Sequence, residues 1–180
     1  LAWKMCRPNA DNPWLLGYFL DNELEWYGKG GGVVGVAIET AKLPADNSGK
    51  QALVNLLKQR HGDSIEKLNK AWGAEYESWE ALASATTFEA VNQEALREDQ
   101  LAFVAEVADR YFRTTCEAIR RWDPNHMILG SRFAGDAPPG VWEAAGRYCD
   151  IVTFNYYGRV DLLRAEAPGT AERWTEYYNK

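Results

Sequence analysis

Near the start of this chain, the apolar run Leu15-Leu16-Gly17-Tyr18-Phe19-Leu20 passes directly into three polar residues, Asp21-Asn22-Glu23. In parallel α/β folds the C-terminal tips of buried strands open onto the site, so a carboxyl placed there with an amide beside it can trade a proton with a bound molecule. Side chains alternate along a strand, so Phe19, Asp21 and Glu23 are expected on one face and Tyr18 and Leu20 on the other. The residues alone leave a second reading of Glu23 open, as a cap for a following helix or a partner for a lysine. Two later apolar runs end in the same manner. Met127-Ile128-Leu129-Gly130 leads into Ser131-Arg132-Phe133, and Ile151-Val152-Thr153-Phe154 into Asn155-Tyr156-Tyr157.

The elements that must position these tips are helical. Val33 to Leu43 reads as an apolar helix, and Leu53, Leu56 and Leu57 sit at helical spacing before the stop signal His61-Gly62. Asp63-Ser64 opens another helix with Ile65, Leu68 and Trp72 on one stripe. Trp72, Tyr76 and Trp79 form an aromatic group that reads as packing ahead of ligand contact. From about Asn92 to Trp122 one long helix carries Phe103, Val104, Val107, Ala108, Tyr111, Phe112, Cys116 and Ile119 on its apolar face, until Asp123-Pro124 ends it. Val141, Ala144, Ala145 and Tyr148 mark a further helix. Strand, helices, strand, helix, strand, without hairpin signals, predicts parallel strands with right-handed crossovers.

The three strand-and-tip segments, in this order, resemble strands four to six of the retaining glycoside hydrolases built on (β/α)8 barrels, with Gly17 to Glu23 most similar to their β-galactosidase-like and β-agarase-like branches. The resemblance covers nearly the whole chain. It implies a partial (β/α)8 (TIM) barrel with a long helical insertion, residues 1–180 being the central portion of a catalytic domain. It also implies hydrolysis of a β-linked, galactose-containing or similar oligo- or polysaccharide. In that chemistry two carboxyl groups about 5–5.5 Å apart flank the scissile bond, one as acid/base and one as nucleophile. Glu23 matches the acid/base, Asn22 the ligand of the sugar 2-hydroxyl, and Tyr156 the tyrosine that bonds the nucleophile, with Tyr157 the alternative on the opposite face. Arg132 suits a sugar hydroxyl, a carboxylate that it holds in place, or a structural salt bridge; Trp26 suits sugar stacking or loop packing.

The family takes its nucleophile from a glutamate ending strand seven. After Tyr157 this chain offers Asp161, Glu166, Glu172 and Glu176, none of which follows an apolar strand. The expectation is an internal piece of a larger enzyme, inactive alone; a non-catalytic sugar-binding or structural module derived from the barrel is the alternative. A chain of 180 residues is short for a full barrel, which takes about 250. An open set of strands exposes edges and an apolar face, which predicts self-association.

Composition narrows the partners. A net charge of −6 disfavours nucleic acid, which needs clustered cations. No apolar run approaches a membrane span. The glycines at 28 and 30–32 do not form a phosphate loop, because Lys29 precedes three of them and no Ser or Thr follows in the required place. Cys6, Cys116 and Cys149 are odd in number and widely spaced, so they read as free thiols; neither they nor His61 and His126 have metal-ligand spacing. No cofactor is expected. Eight tryptophans suit a carbohydrate cleft, whose walls stack on sugar rings. The compartment is not legible from these residues.

Overall fold

The computed structural model describes residues 1–26, 32–134 and 137–155. They divide into two compact units, one of residues 1–25 and 108 onward, the other of residues 26–107.

The first unit holds the short helix α1 (Ala2–Met5) and every described strand: β1 (Gly17–Tyr18), β2 (Asp21–Asn22), β3 (Met127–Ile128), β4 (Ser131–Phe133) and β5 (Thr153–Phe154). All pairings are parallel, as the order of apolar runs predicts. Gly17 faces Met127 and Tyr18 faces Ile128; Asp21 faces Ser131 and Asn22 faces Arg132; Arg132 and Phe133 face Thr153 and Phe154. Expected as one strand, Leu15 to Leu20 with its polar tip is split into β1 and β2, although the offset against the partner strand is the same on both sides of the break. The cause lies at Gly130, where φ is +74°. Leu129 N–H donates to Tyr18 O (2.8 Å), but Leu20 N–H reaches Gly130 O (3.0 Å) instead of the preceding carbonyl. A local kink of this kind favours glycine, since a side chain there meets both strain and backbone. A Cβ on Gly130 would lie 2.6 Å from Ile151 O, and one on Gly17 would lie 2.2 Å from Met127 O.

One face of these strands packs on helices. In β4, Ser131 and Phe133 are buried and Arg132 is exposed, the period-two pattern of a half-covered strand. Phe133 meets Trp142 of α7 (Pro139–Tyr148) at 4.2 Å between ring centroids and Phe112 of α6 (Gln93–Arg120) at 6.3 Å. Ala108, Phe112 and Cys116 from α6, Ile128, and Val141, Ala144 and Ala145 from α7 complete this core. Among the described residues, Leu16 is 68% exposed and Phe19, near Arg132, is 50% exposed.

Polar anchors fix where the strands begin. Asp123 is fully buried after the end of α6. It accepts from the Tyr18 hydroxyl (2.6 Å) and from the backbone N–H groups of Asn125 and His126, and it contacts His126 Nδ1 at 2.8 Å. Burial pushes the Asp123 carboxyl up, and the hydrogen bonds from Tyr18, His126 and the two backbone groups outweigh it, holding the group below the usual carboxylate range. Asp150 does the same work beside it, accepting from Ile128 N–H and from Arg120, both at 2.7 Å. The Asp123-Pro124-Asn125-His126 segment therefore serves as a staple at the foot of β3.

The second unit is helical: α2 (Gly35–Ala41), α3 (Ser48–Arg60), α4 (Ile65–Trp72), α5 (Trp79–Ser84) and the first half of α6. Its starts are capped by the Asn47, Ser64 and Ser78 side chains, which accept from backbone N–H groups, Ser64 being the start that the sequence marks, and Gly73 (φ +65°) closes α4. Trp72 is fully buried, in keeping with the packing reading, and donates its indole N–H to buried Asp99 (2.8 Å). Asp99 also accepts from Arg60 (2.5 Å) and contacts His61 (2.8 Å). Buried Lys50 donates to the carbonyls of Ala41 and Ala85, both at 2.5 Å.

The substitution Gly130→Ala is expected to destabilise the protein by about 1–3 kcal/mol, read as a lowered denaturant midpoint at unchanged m-value. A midpoint equal to that of the native sequence would show that the kink at Gly130 is not required.

Candidate active site at the strand tips

The tips of β2, β4 and β5 are held side by side by backbone bonds that continue the ladder past the strands. Glu23 N–H donates to Arg132 O (2.9 Å), and Asn155 N–H donates to Phe133 O (2.6 Å). The three residues that follow the apolar runs are thereby brought together, although they are far apart in sequence.

Glu23 has a φ of +59°, one of two non-glycine residues with positive φ among those described. This left-handed conformation is sparsely populated by residues with a side chain. Such backbone strain persists only where surrounding structure enforces it, and it clusters at functional sites. Its local consequence is visible in the hydrogen bonds. Adjacent residues on a regular strand point to opposite faces, yet Asn22 and Glu23 share a partner. Asn155 Nδ2 donates to Glu23 Oε1 (2.5 Å) and makes a longer contact of 3.4 Å with Asn22 Oδ1. The turn at Glu23 folds its carboxyl back beside the amide that precedes it.

The same turn corrects an expectation. Strict alternation places Asp21 and Glu23 on one face; their partners separate them. Asp21 Oδ2 accepts from the Tyr111 hydroxyl of α6 (2.7 Å) and from the Ser131 hydroxyl (2.5 Å). Asp21 therefore ties the strand to its supporting helix. Burial, then the hydrogen bond and charge of Asp21, push the Tyr111 phenol above its usual range. Tyr18 is raised in the same way, by burial first and then by Asp123.

Arg132 lies on the exposed face of β4. Its Nε donates to Asn155 Oδ1 (3.1 Å), and its guanidinium sits 5.6 Å from the centre of the Phe19 ring. The contacts observed for Arg132 are therefore within the tip cluster, to a neutral amide and an aromatic ring. Trp26 is 6% exposed, so its ring is packed away and loop packing, the other alternative, describes it. Tyr156 and Tyr157 lie outside the described residues, as do Asp161, Glu166, Glu172 and Glu176.

Asn155 was not among the residues singled out from the sequence. Its signal was present: it is the first polar residue after the apolar run Ile151-Val152-Thr153-Phe154, as Asp21 is after the first run. Chemically, the cluster offers a carboxyl that can give and take a proton, two amides that can bond hydroxyls, and a cation, on a face otherwise lined by Phe19. That set suits a neutral, hydroxyl-rich ligand.

Comparison with known proteins agrees. Residues 4–175 match the family model described as β-galactosidase, glycoside hydrolase family 42. β-Agarase A of Vibrio sp. (strain JT0107) is 34% identical over 165 residues, covering 82% of this chain and 16% of the agarase. β-Agarase B of the same strain is 27% identical over 163 residues, covering 85% of this chain and again 16% of the relative. Among solved structures, the agarase AgWH50C superposes with a TM-score of 0.77 at 33% identity, over 92% of this chain and 23% of its own. An exo-β-agarase superposes with a TM-score of 0.80 at 29% identity, over 95% of this chain and 24% of its own. The fold is that of a partial (β/α)8 barrel, with parallel strands and a long helical insertion.

Tyr18 and Tyr111, with phenols raised above the ordinary value of about 10, contribute stability that is complete below that pH and is lost as pH climbs through their folded-state values. The variant Tyr111→Phe should cost about 1–3 kcal/mol at pH 7, because Asp21 loses a donor, and should lose less further stability than the native protein above pH about 10. Urea unfolding at the two pH values checks both; parallel losses in the two proteins would contradict the account.

Proposed function

We propose a hydrolytic role from one premise: this chain belongs to the β-galactosidase family of glycoside hydrolases, matching its model over residues 4–175. The protein containing it cleaves a β-linked, galactose-containing oligo- or polysaccharide, agarose being the substrate class suggested by the names of its relatives. Residues 1–180 form the central portion of the catalytic barrel, strands four to six with their helices, and the longer protein supplies the rest. The low coverage of the relatives, 16% of each agarase, supports that division.

The observation that carries the reading is Glu23 itself. It sits at a strand tip, in a strained conformation, with its carboxyl beside Asn22 and Asn155. In the first step of a retaining reaction Glu23 protonates the glycosidic oxygen as the bond to the anomeric carbon breaks, while the second carboxylate attacks that carbon. In the second step Glu23 takes a proton from water, and the resulting hydroxide equivalent releases the sugar. Asn22 accepts at Oδ1 from Asn155, which leaves its Nδ2 oriented as a donor for the sugar 2-hydroxyl. That contact strengthens as charge develops at the neighbouring carbon. Tyr156, next after Asn155, bonds the nucleophile. The nucleophile comes from strand seven, beyond Lys180, so this chain alone lacks turnover. Alone it also self-associates through exposed apolar side chains, Leu16 and Phe19 among them.

The test is Glu23→Gln in the longer protein, assayed on agarose oligosaccharides. The amide cannot transfer the proton, so kcat should fall by about 100–10,000-fold, while binding of oligosaccharide persists. Hydrolysis at the native rate would remove Glu23 from the reaction. If the unsubstituted longer protein binds the oligosaccharide but never cleaves it, the non-catalytic sugar-binding alternative is the correct one.

A further inference from the structure

The amide of Asn155 stands between two groups of fixed hydrogen-bonding character. Arg132 Nε can only donate, so the Asn155 atom facing it at 3.1 Å must be the acceptor Oδ1. That settles the amide's orientation: Nδ2, a donor with no acceptor capacity, faces Glu23 Oε1 at 2.5 Å and Asn22 Oδ1 at 3.4 Å. The assignment follows from the chemistry of the three partners. Backbone bonds hold the ends of the relay in register, since Glu23 N–H donates to Arg132 O and Asn155 N–H to Phe133 O. The Arg132 guanidinium is in turn steadied over the Phe19 ring at 5.6 Å.

We propose that Asn155 is the positioning residue for the Glu23 carboxyl, that it assigns the transferable proton to Glu23 Oε2, and that Arg132 acts through Asn155 by fixing its amide. A neutral carboxyl has one oxygen that accepts and one that carries hydrogen. With Oε1 engaged by an N–H, the hydrogen resides on Oε2, and the rotamer of the carboxyl is set by the same bond. The left-handed turn at Glu23 gives the carboxyl its place on this side of the strand, and Asn155 decides which oxygen faces the leaving group. On proton transfer the Oε2–H bond breaks, the proton passes to the glycosidic oxygen, and the carboxylate left behind keeps the Asn155 N–H on Oε1. In the return step Oε2 accepts the proton from water.

This inference rests on the acid/base role of Glu23 proposed above, and the experiment separates the two. In the longer protein, kcat/KM for agarose oligosaccharides is measured against pH for the native sequence and for Glu23→Gln, Asn155→Ala, Asn155→Asp and Arg132→Gln. The native profile falls at high pH as the acid loses its proton. An N–H bonded to a carboxylate favours the charged form. Its removal in Asn155→Ala should move that alkaline limb up by about one pH unit and lower the optimum by about 10–100-fold. Asn155→Asp keeps the shape but places an acceptor and a charge against Glu23, so the limb should move up further. Arg132→Gln should move it in the same direction with KM nearly unchanged. If the Asn155 variants lose activity equally at every pH, the relay is wrong and Asn155 is structural. If Arg132→Gln raises KM without moving the limb, Arg132 binds sugar directly and its assigned role falls. Native activity in Glu23→Gln overturns the acid/base reading and the relay with it, whereas a dead Glu23→Gln beside unshifted Asn155 variants overturns the relay alone.

Discussion

Glu23 is where it is because its backbone N–H is held by Arg132 O at 2.9 Å, at the end of a parallel ladder whose register is kept on both sides of a kink. Everything proposed for this chain depends on that ladder. A slip of one residue between the two strands would exchange the faces of every side chain on the moving strand. It would move Arg132 off the exposed face and take Asp21 away from Ser131. Several anchors oppose such a slip. Tyr18 and His126 are both bound to buried Asp123, Ile128 N–H is bound to Asp150, and Asp21 is bound to Tyr111 and Ser131. These groups lie on the helix-packed side or at the strand starts, and they leave the exposed tips to carry chemistry.

The strain at the tips is local. Gly130 takes a left-handed conformation where a side chain would strike Ile151 O, and Glu23 takes one despite having a side chain. The first bends the ladder; the second turns a carboxyl toward Asn155. Left-handed backbone at a non-glycine residue costs about 1–3 kcal/mol, and the short Asn155 bond and the ladder bond of the Glu23 N–H offset it. This places strain and support on the same three strand tips, which is the economy expected of a site built on rigid elements. The helical unit of residues 26–107 follows different rules. Its buried charges, Asp99 and Lys50, are each held by several partners inside the unit, and they stabilise that unit by itself.

Most of the fold was legible because its signals are short-range. Apolar runs bounded by polar tips gave the parallel strands. Asp63-Ser64 marked a helix start by its side-chain chemistry, and the stripe from Phe103 to Ile119 marked the long helix. The site was only partly legible. Glu23 and Asn22 stand out in sequence because they end the first of three strand-and-tip segments that together resemble a known family; the pair alone leaves a structural reading open. The relation of Asp21 to Glu23 was not readable, since alternation fails where φ turns positive, and no residue type announces that turn at a glutamate. Asn155 was overlooked beside Tyr156, although it too lies at the polar tip of an apolar run. Trp26 was left between sugar stacking and loop packing in the sequence, and its ring is buried.

The most direct measurement is a crystal structure of the longer protein bearing Glu23→Gln, with an uncleaved oligosaccharide bound. The account predicts the side-chain atom in the place of Oε2 within about 3.2 Å of the glycosidic oxygen, the Oε1 atom still on Asn155, and Asn22 Nδ2 on a sugar hydroxyl. A glycosidic oxygen served by some other residue, with the side chain at position 23 turned away from the sugar, would contradict it.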